Sequence, residues 1–152
     1  LNAMKVNPKI SSLIKGIEGK QIAKVIAGGS NGSIVILRIG EDEFSLCIKC
    51  IWRLEDESNI LTGWNEPNDA EYGNLTLEIK KLSGDFIKST ELSDFYDLKL
   101  HFLSGKTLNI FCDVTPHYEP DDYDENWLLC DIKDNRSYAV KKDFLVADRP
   151  YS

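Results

Sequence analysis

Apolar and polar residues change their spacing once along this chain, near its N-terminus. Between residues 7 and 16 the apolar side chains Ile10, Leu13 and Ile14 share one helical face, with Asn7 where an N-cap belongs, Pro8 at the first helical position and Gly16 after the last turn. A helix of about two turns is expected there, too short to hold without packing on a neighbour. Beyond it the period becomes two. Ile34 and Ile36, then Phe44, Leu46 and Ile48, then Leu75, Leu77 and Ile79, then Leu98, Leu100 and Phe102, then Leu108 and Ile110 alternate with polar neighbours. That is the pattern of antiparallel strands with one wet face.

The turn residues agree with this reading. Gly28-Gly29-Ser30-Asn31-Gly32 separates strands near 21–27 and 33–39, Gly40 to Glu43 closes the next hairpin, and Ser104-Gly105-Lys106 closes a later one. With Trp127–Lys133 and a broken stretch over Tyr138–Val146 there are about ten strand candidates and no second amphipathic helix of ordinary length. The expected fold is mainly β, with α+β as the variant: an antiparallel sheet folded into a sandwich or half-barrel with a short N-terminal helix. Residues 4–152 read as a single β-rich domain, and Leu1 to Ala3, which precede the only methionine, Met4, as a remnant of expression cloning. An internal duplication over 16–54 and 82–130 is also suggested. Its offsets are 65 residues at Gly19/Gly84, 64 at Ile34/Leu98 and Phe44/Leu108, and 75 at Trp52/Trp127.

Charge changes the picture at one place. Residues 113–134 hold eight acids and one base, Lys133, while the rest of the chain has 17 acids and 17 bases, so the whole net charge of −7 sits in that segment. It is built around a proline-punctuated loop in which Tyr118, Glu119, Asp121, Asp122, Tyr123, Asp124 and Glu125 interleave carboxylates with aromatic rings. Carboxylates steer a basic partner, and Tyr118, Tyr123 and Trp127 would be its rigid anchors. A second mixed patch, with Trp64, Glu66, Asp69, Glu71 and Tyr72, lies in the connection after Trp52-Arg53-Leu54. A long connection in a compact domain either binds something or covers a core edge.

Other chemistry is thin. A pI near 4.8 argues against nucleic acid as the direct ligand, and no apolar run approaches a membrane span. The expected compartment is the cytoplasm, where four cysteines would stay reduced. Cys47-Ile-Lys-Cys50 is a lone CxxC within strand pattern, and neither Cys112 nor Cys130 belongs to a second such motif, so buried thiols are expected in place of zinc. The acidic loop fails the calcium-loop template, because Trp127 stands where glycine is required and Lys133 where glutamate is. The Gly28–Gly32 run lacks the lysine of a phosphate loop. His101 should lie on the wet face of its strand; His117, among carboxylates, could bind a metal or act as a base. No convergent acid, base and nucleophile emerges, and no cofactor or metal is expected.

The combination "CIWRLEDESNILTG" in the first half and "DLKLHFLSGKTLNIF…NWLL" in the second resembles small acidic bacterial proteins found beside polymorphic toxins, the immunity proteins of contact-dependent growth inhibition and related systems. The likeness runs from about Gly16 to Tyr138 and carries no catalytic residues. It implies a non-enzymatic cytoplasmic partner of a toxin domain, a nuclease with a basic cleft into which an acidic and aromatic loop fits as a phosphate mimic, with no membrane partner and an open oligomeric state. The competing readings are a small-molecule- or metal-binding β-domain and a hydrolase built around His117.

Overall fold

The computed structural model describes residues 6–66, 70–114 and 125–152. Helix α1 (Pro8–Gly16) forms as its sequence dictates: the Asn7 carboxamide oxygen accepts from the Lys9 and Ile10 amides at 2.9 and 3.2 Å, and Ile10, Leu13 and Ile14 are buried. Strands β1 (Ile22–Ile26), β2 (Val35–Ile39) and β3 (Phe44–Ile48) then run as a meander, followed by β4 (Ile51–Glu55) and β5 (Ile60–Gly63). Helix α2 (Asn74–Lys80) opens a second series of β6 (Ile87–Leu92), β7 (Leu98–Phe102) and β8 (Thr107–Phe111), followed by β9 (Glu125–Asp131), β10 (Arg136–Lys141) and β11 (Val146–Pro150).

The expected fold class holds: the chain is mainly β, and among the described residues there are two antiparallel sheets and short helices, with no closure of the sheets into a barrel. One sheet has the order β1-β2-β3-β9-β10-β11 and the other β5-β4-β8-β7-β6. Each half thus gives a three-stranded meander to one sheet and its next strands to the other. The seams are β3 with β9, from Phe44↔Asp131 to Ile48↔Trp127, and β4 with β8, from Ile51↔Phe111 to Glu55↔Thr107. On one flank the chain ahead of β1 meets the chain ahead of β6 through a Gln21↔Phe86 bridge. The Gly19 amide donates there to the Ile87 carbonyl at 2.6 Å and the Gly84 amide to that of Ile22 at 2.8 Å. Gly19 and Gly84 both take positive φ, at 83° and 89°, which a Cβ would disfavour.

The core lies between the sheets and includes both fully buried tryptophans, Trp52 and Trp127, with Leu37, Leu46, Leu108 and Leu129. Each such aliphatic side chain contributes about 1.5–3 kcal/mol when fully buried. Helix α1 packs against β6, and α2 against β5 and β1.

Two expectations need correction. Leu75, Leu77 and Ile79 do not form a strand; they belong to α2, in which Leu75, Thr76 and Ile79 are buried and Leu77 is half exposed. Leu75, Ile79 and the buried Leu82 recur at helical spacing, and Leu77 only imitated alternation. In β2 the inward residues are Val35, Leu37 and Ile39, with Ile34 and Ile36 on the other face. The run Ile34-Val35-Ile36-Leu37 is apolar at every position, so only Arg38 marks the outer face.

Candidate interaction surface at the loop-bearing end

Antiparallel neighbours bring alternate connections to the same end of a sandwich. At one end turn the loop of residues 28–33, the β3–β4 link at Lys49 and Cys50, the chain leaving β5 at Trp64, the loop 93–97, the exit from β8 at Asp113, the entry to β9 at Glu125, and the loop 142–145. Contacts between them confirm the placement. The Asn65 amide donates to Ser33 Oγ at 2.9 Å, Lys142 Nζ lies 3.5 Å from Asp113 Oδ1, and the Phe95 and Phe144 rings meet edge to face at 6.3 Å and 81°. Both segments that the sequence singles out for binding therefore start from this end.

The root of the acidic segment is tied by Asn126, which is fully buried. Its Oδ1 accepts from the Asp113 amide at 3.0 Å, and its Nδ2 donates to the Asp113 and Lys141 carbonyls at 3.2 and 3.4 Å. Its own carbonyl accepts from the Lys49 amide at 2.8 Å. Chain leaving β8 and chain entering β9 are thus held by one side chain. Next to it Glu125, expected on the binding surface, is 1 % exposed, its carboxylate bonded by Lys49 Nζ at 3.2 Å and by Arg149. A carboxylate removed from water needs such partners. Glu125 anchors the segment and does not face outward. Trp127, an expected anchor for a partner, is wholly in the core.

Tyr118, Glu119, Asp121, Asp122, Tyr123, Asp124 and His117 lie outside the described residues, as does Asp69. In the second patch Tyr72 is 80 % exposed and Glu71 is exposed, while Trp64 is partly buried against the core. Glu66 is committed locally: it accepts from Asn74 Nδ2 at 2.8 Å and from the Thr62 hydroxyl. Tyr72 and Glu71 are the described members of this patch that face solvent.

The sequence reading missed apolar residues at the same end. Phe95 is 57 % exposed and Leu145 63 %, Val114 is also exposed, and Asp94 and Asp143 stand exposed beside the first two. A crevice of about 230 Å³ opens nearby between Leu92, Ser93, Asp97 and Phe111. The available signal was phenylalanine inside turn-forming runs, Ser93-Asp94-Phe95 and Lys142-Asp143-Phe144. Tyr96 and Phe144 sit at positive φ, 67° and 63°, a cost for bulky residues that local contacts must offset. Tyr96 has such contacts: its hydroxyl accepts from the Asn7 amide at 2.8 Å and its carbonyl from Trp127 Nε1 at 2.9 Å.

Elsewhere the expected chemistry is placed as follows. Gly28–Gly32 is a turn that leads into β2, and a Cβ on Gly28 would stand 1.8 Å from Thr76 Oγ1 of α2. All four cysteines are free. Burial pushes the thiols of Cys47 and Cys130 up, while the neighbouring Cys112 thiol and then burial push that of Cys50 up strongly. On the outer face of the five-stranded sheet His101 Nε2 is 2.5 Å from Glu91 Oε2 and its Nδ1 3.2 Å from Thr107 Oγ1, and the histidine holds the Glu91 carboxyl below its usual range. Among the described residues no three metal-binding side chains gather, and no helix is long and apolar enough to cross a membrane.

No protein-family model, curated protein or solved structure matches this chain.

Proposed function

We propose that this chain is a non-enzymatic immunity-type protein that binds and neutralises a bacterial toxin domain in the cytoplasm, the toxin being a nuclease with a basic cleft. One observation carries the reading: the acidic segment and the Glu71-Tyr72 patch start from the same end of the sandwich as the exposed Phe95, Val114 and Leu145. Carboxylates around apolar anchors are the composition of a protein-binding surface, in which the charges set encounter rate and partner choice and the buried apolar centre sets lifetime. Tyr118 and Tyr123 would add rings beside Glu119, Asp121, Asp122 and Asp124 in the phosphate-mimicking segment. Glu125 and Asn126 hold its root in register. The crevice at Leu92 and Phe111 has room for one side chain of the partner.

The test is co-purification with the product of the adjacent upstream reading frame, first at low and then at moderate salt. A stoichiometric complex that weakens as salt rises supports the proposal. No complex, beside a gene with no toxin-like product, contradicts it.

A further inference from the structure

Four free cysteines fall into two neighbouring pairs, and the strand register separates them. In the β4–β8 ladder Ile51 pairs with Phe111, and Cys50 and Cys112 are the residues that directly continue the two strands beyond that last pair. Directly opposed residues in an antiparallel pair have Cα atoms about 4.5–5.5 Å apart, inside the window of about 4.4–6.8 Å that a disulfide requires. Their thiols are near enough to interact, the Cys112 thiol being first among the causes that raise that of Cys50. Cys47 and Cys130 are differently placed. Cys47 pairs with Leu128 and Cys130 with Ser45, which makes the two cysteines diagonal neighbours, about 7–8 Å apart and beyond easy bridging.

We propose that Cys50 and Cys112 are a latent disulfide site, closed by a peroxide oxidant, that pins the β3–β4 link to the root of the acidic segment. The Cys112 thiolate attacks the peroxide oxygen, forming a sulfenic acid and releasing one water. Cys50 then attacks that sulfur, the S–S bond forms, and the sulfenic oxygen leaves as the second water. Two thiols give up two electrons and two hydrogens, and one peroxide becomes two waters.

Cys112 is the first to react, because it is partly exposed while Cys50 is buried. Closing the bond costs little polar pairing. Cys112 Sγ gives up its 3.2 Å bond to the Tyr96 carbonyl, but that carbonyl keeps the Trp127 indole at 2.9 Å. Burial of the Cys50 thiol disfavours its thiolate, which makes closure slow at neutral pH and faster in alkali.

The experiment treats the reduced protein with hydrogen peroxide at mildly alkaline pH, then maps peptides without reduction and measures the melting temperature. The expected product is two hydrogens lighter, yields a cross-linked Cys50–Cys112 peptide, melts about 5–10 °C higher and reverts with dithiothreitol. Cys47→Ser with Cys130→Ser keeps the cross-link, and Cys112→Ser abolishes it. A cross-link through Cys47 or Cys130, oxygen adducts without a cross-link, or thiols that stay reduced would each overturn the proposal. The wild-type map decides the matter even where a serine variant folds poorly.

Discussion

Trp52 and Trp127 do the same work in the two halves of the chain. Each is fully buried on the first strand after a sheet crossing, and each indole N–H donates to a main-chain carbonyl in the loop joining the first two strands of its own half, Ser33 at 2.7 Å and Tyr96 at 2.9 Å. The loops so fastened lie at the proposed binding end.

Replacing either indole by phenyl leaves a cavity and a buried carbonyl short of a donor. Trp52→Phe is expected to lower stability by about 2–4 kcal/mol in urea unfolding. Trp127→Phe should cost less, because the Tyr96 carbonyl also accepts from Cys112 Sγ at 3.2 Å and the Ser33 carbonyl has no second donor among the described contacts. Equal losses would show that the cavity outweighs the hydrogen bond.

Asn126→Ala removes the side chain that ties Asp113 to Lys141. The expected loss is about 2–4 kcal/mol, with faster amide exchange at Asp113, whose amide loses its acceptor. Asp121→Asn with Asp122→Asn should leave the urea midpoint unchanged. A harmless Asn126→Ala would remove this residue as the fastener of the segment.

The Glu91 carboxyl is held low first by its hydrogen bond to His101, against a smaller opposing effect of burial, with the histidine's charge assisting. A depressed folded-state carboxyl stabilises the protein above its unfolded pKa, and that contribution is lost as pH falls through the folded value. Carboxyl-resolved NMR titration should therefore find Glu91 below the ordinary glutamate range. His101→Asn should return it upward, and an unmoved titration would mean that this pairing is absent in solution.

How much could be read from residues alone depended on whether one face of an element was chemically distinct. Leu98, Leu100 and Phe102 alternate with Lys99 and His101, and both the strand and its inward face follow. Asn7-Pro8 gave the start of α1 through capping chemistry that acts over three residues. The all-apolar run at Ile34 to Leu37 had no such contrast, and α2 has no side-chain cap to announce it. The site was legible only as charge. That Glu125 faces two cations, and that Phe95 and Leu145 meet at one end, depends on pairing between strands far apart in sequence, which no local pattern encodes.

On the proposed function, the loop-bearing end binds a basic toxin domain. Its most direct test is the affinity of the co-purified partner for the wild-type chain, for Asp121→Asn with Asp122→Asn, and for Phe95→Ala with Leu145→Ala, by titration calorimetry at two salt concentrations. The acid variant is predicted to weaken binding at least tenfold at low salt and to flatten the salt dependence, and the apolar variant to weaken it at both salts with folding intact. Unchanged affinity in both variants would contradict the claim and move the interface elsewhere on the sandwich.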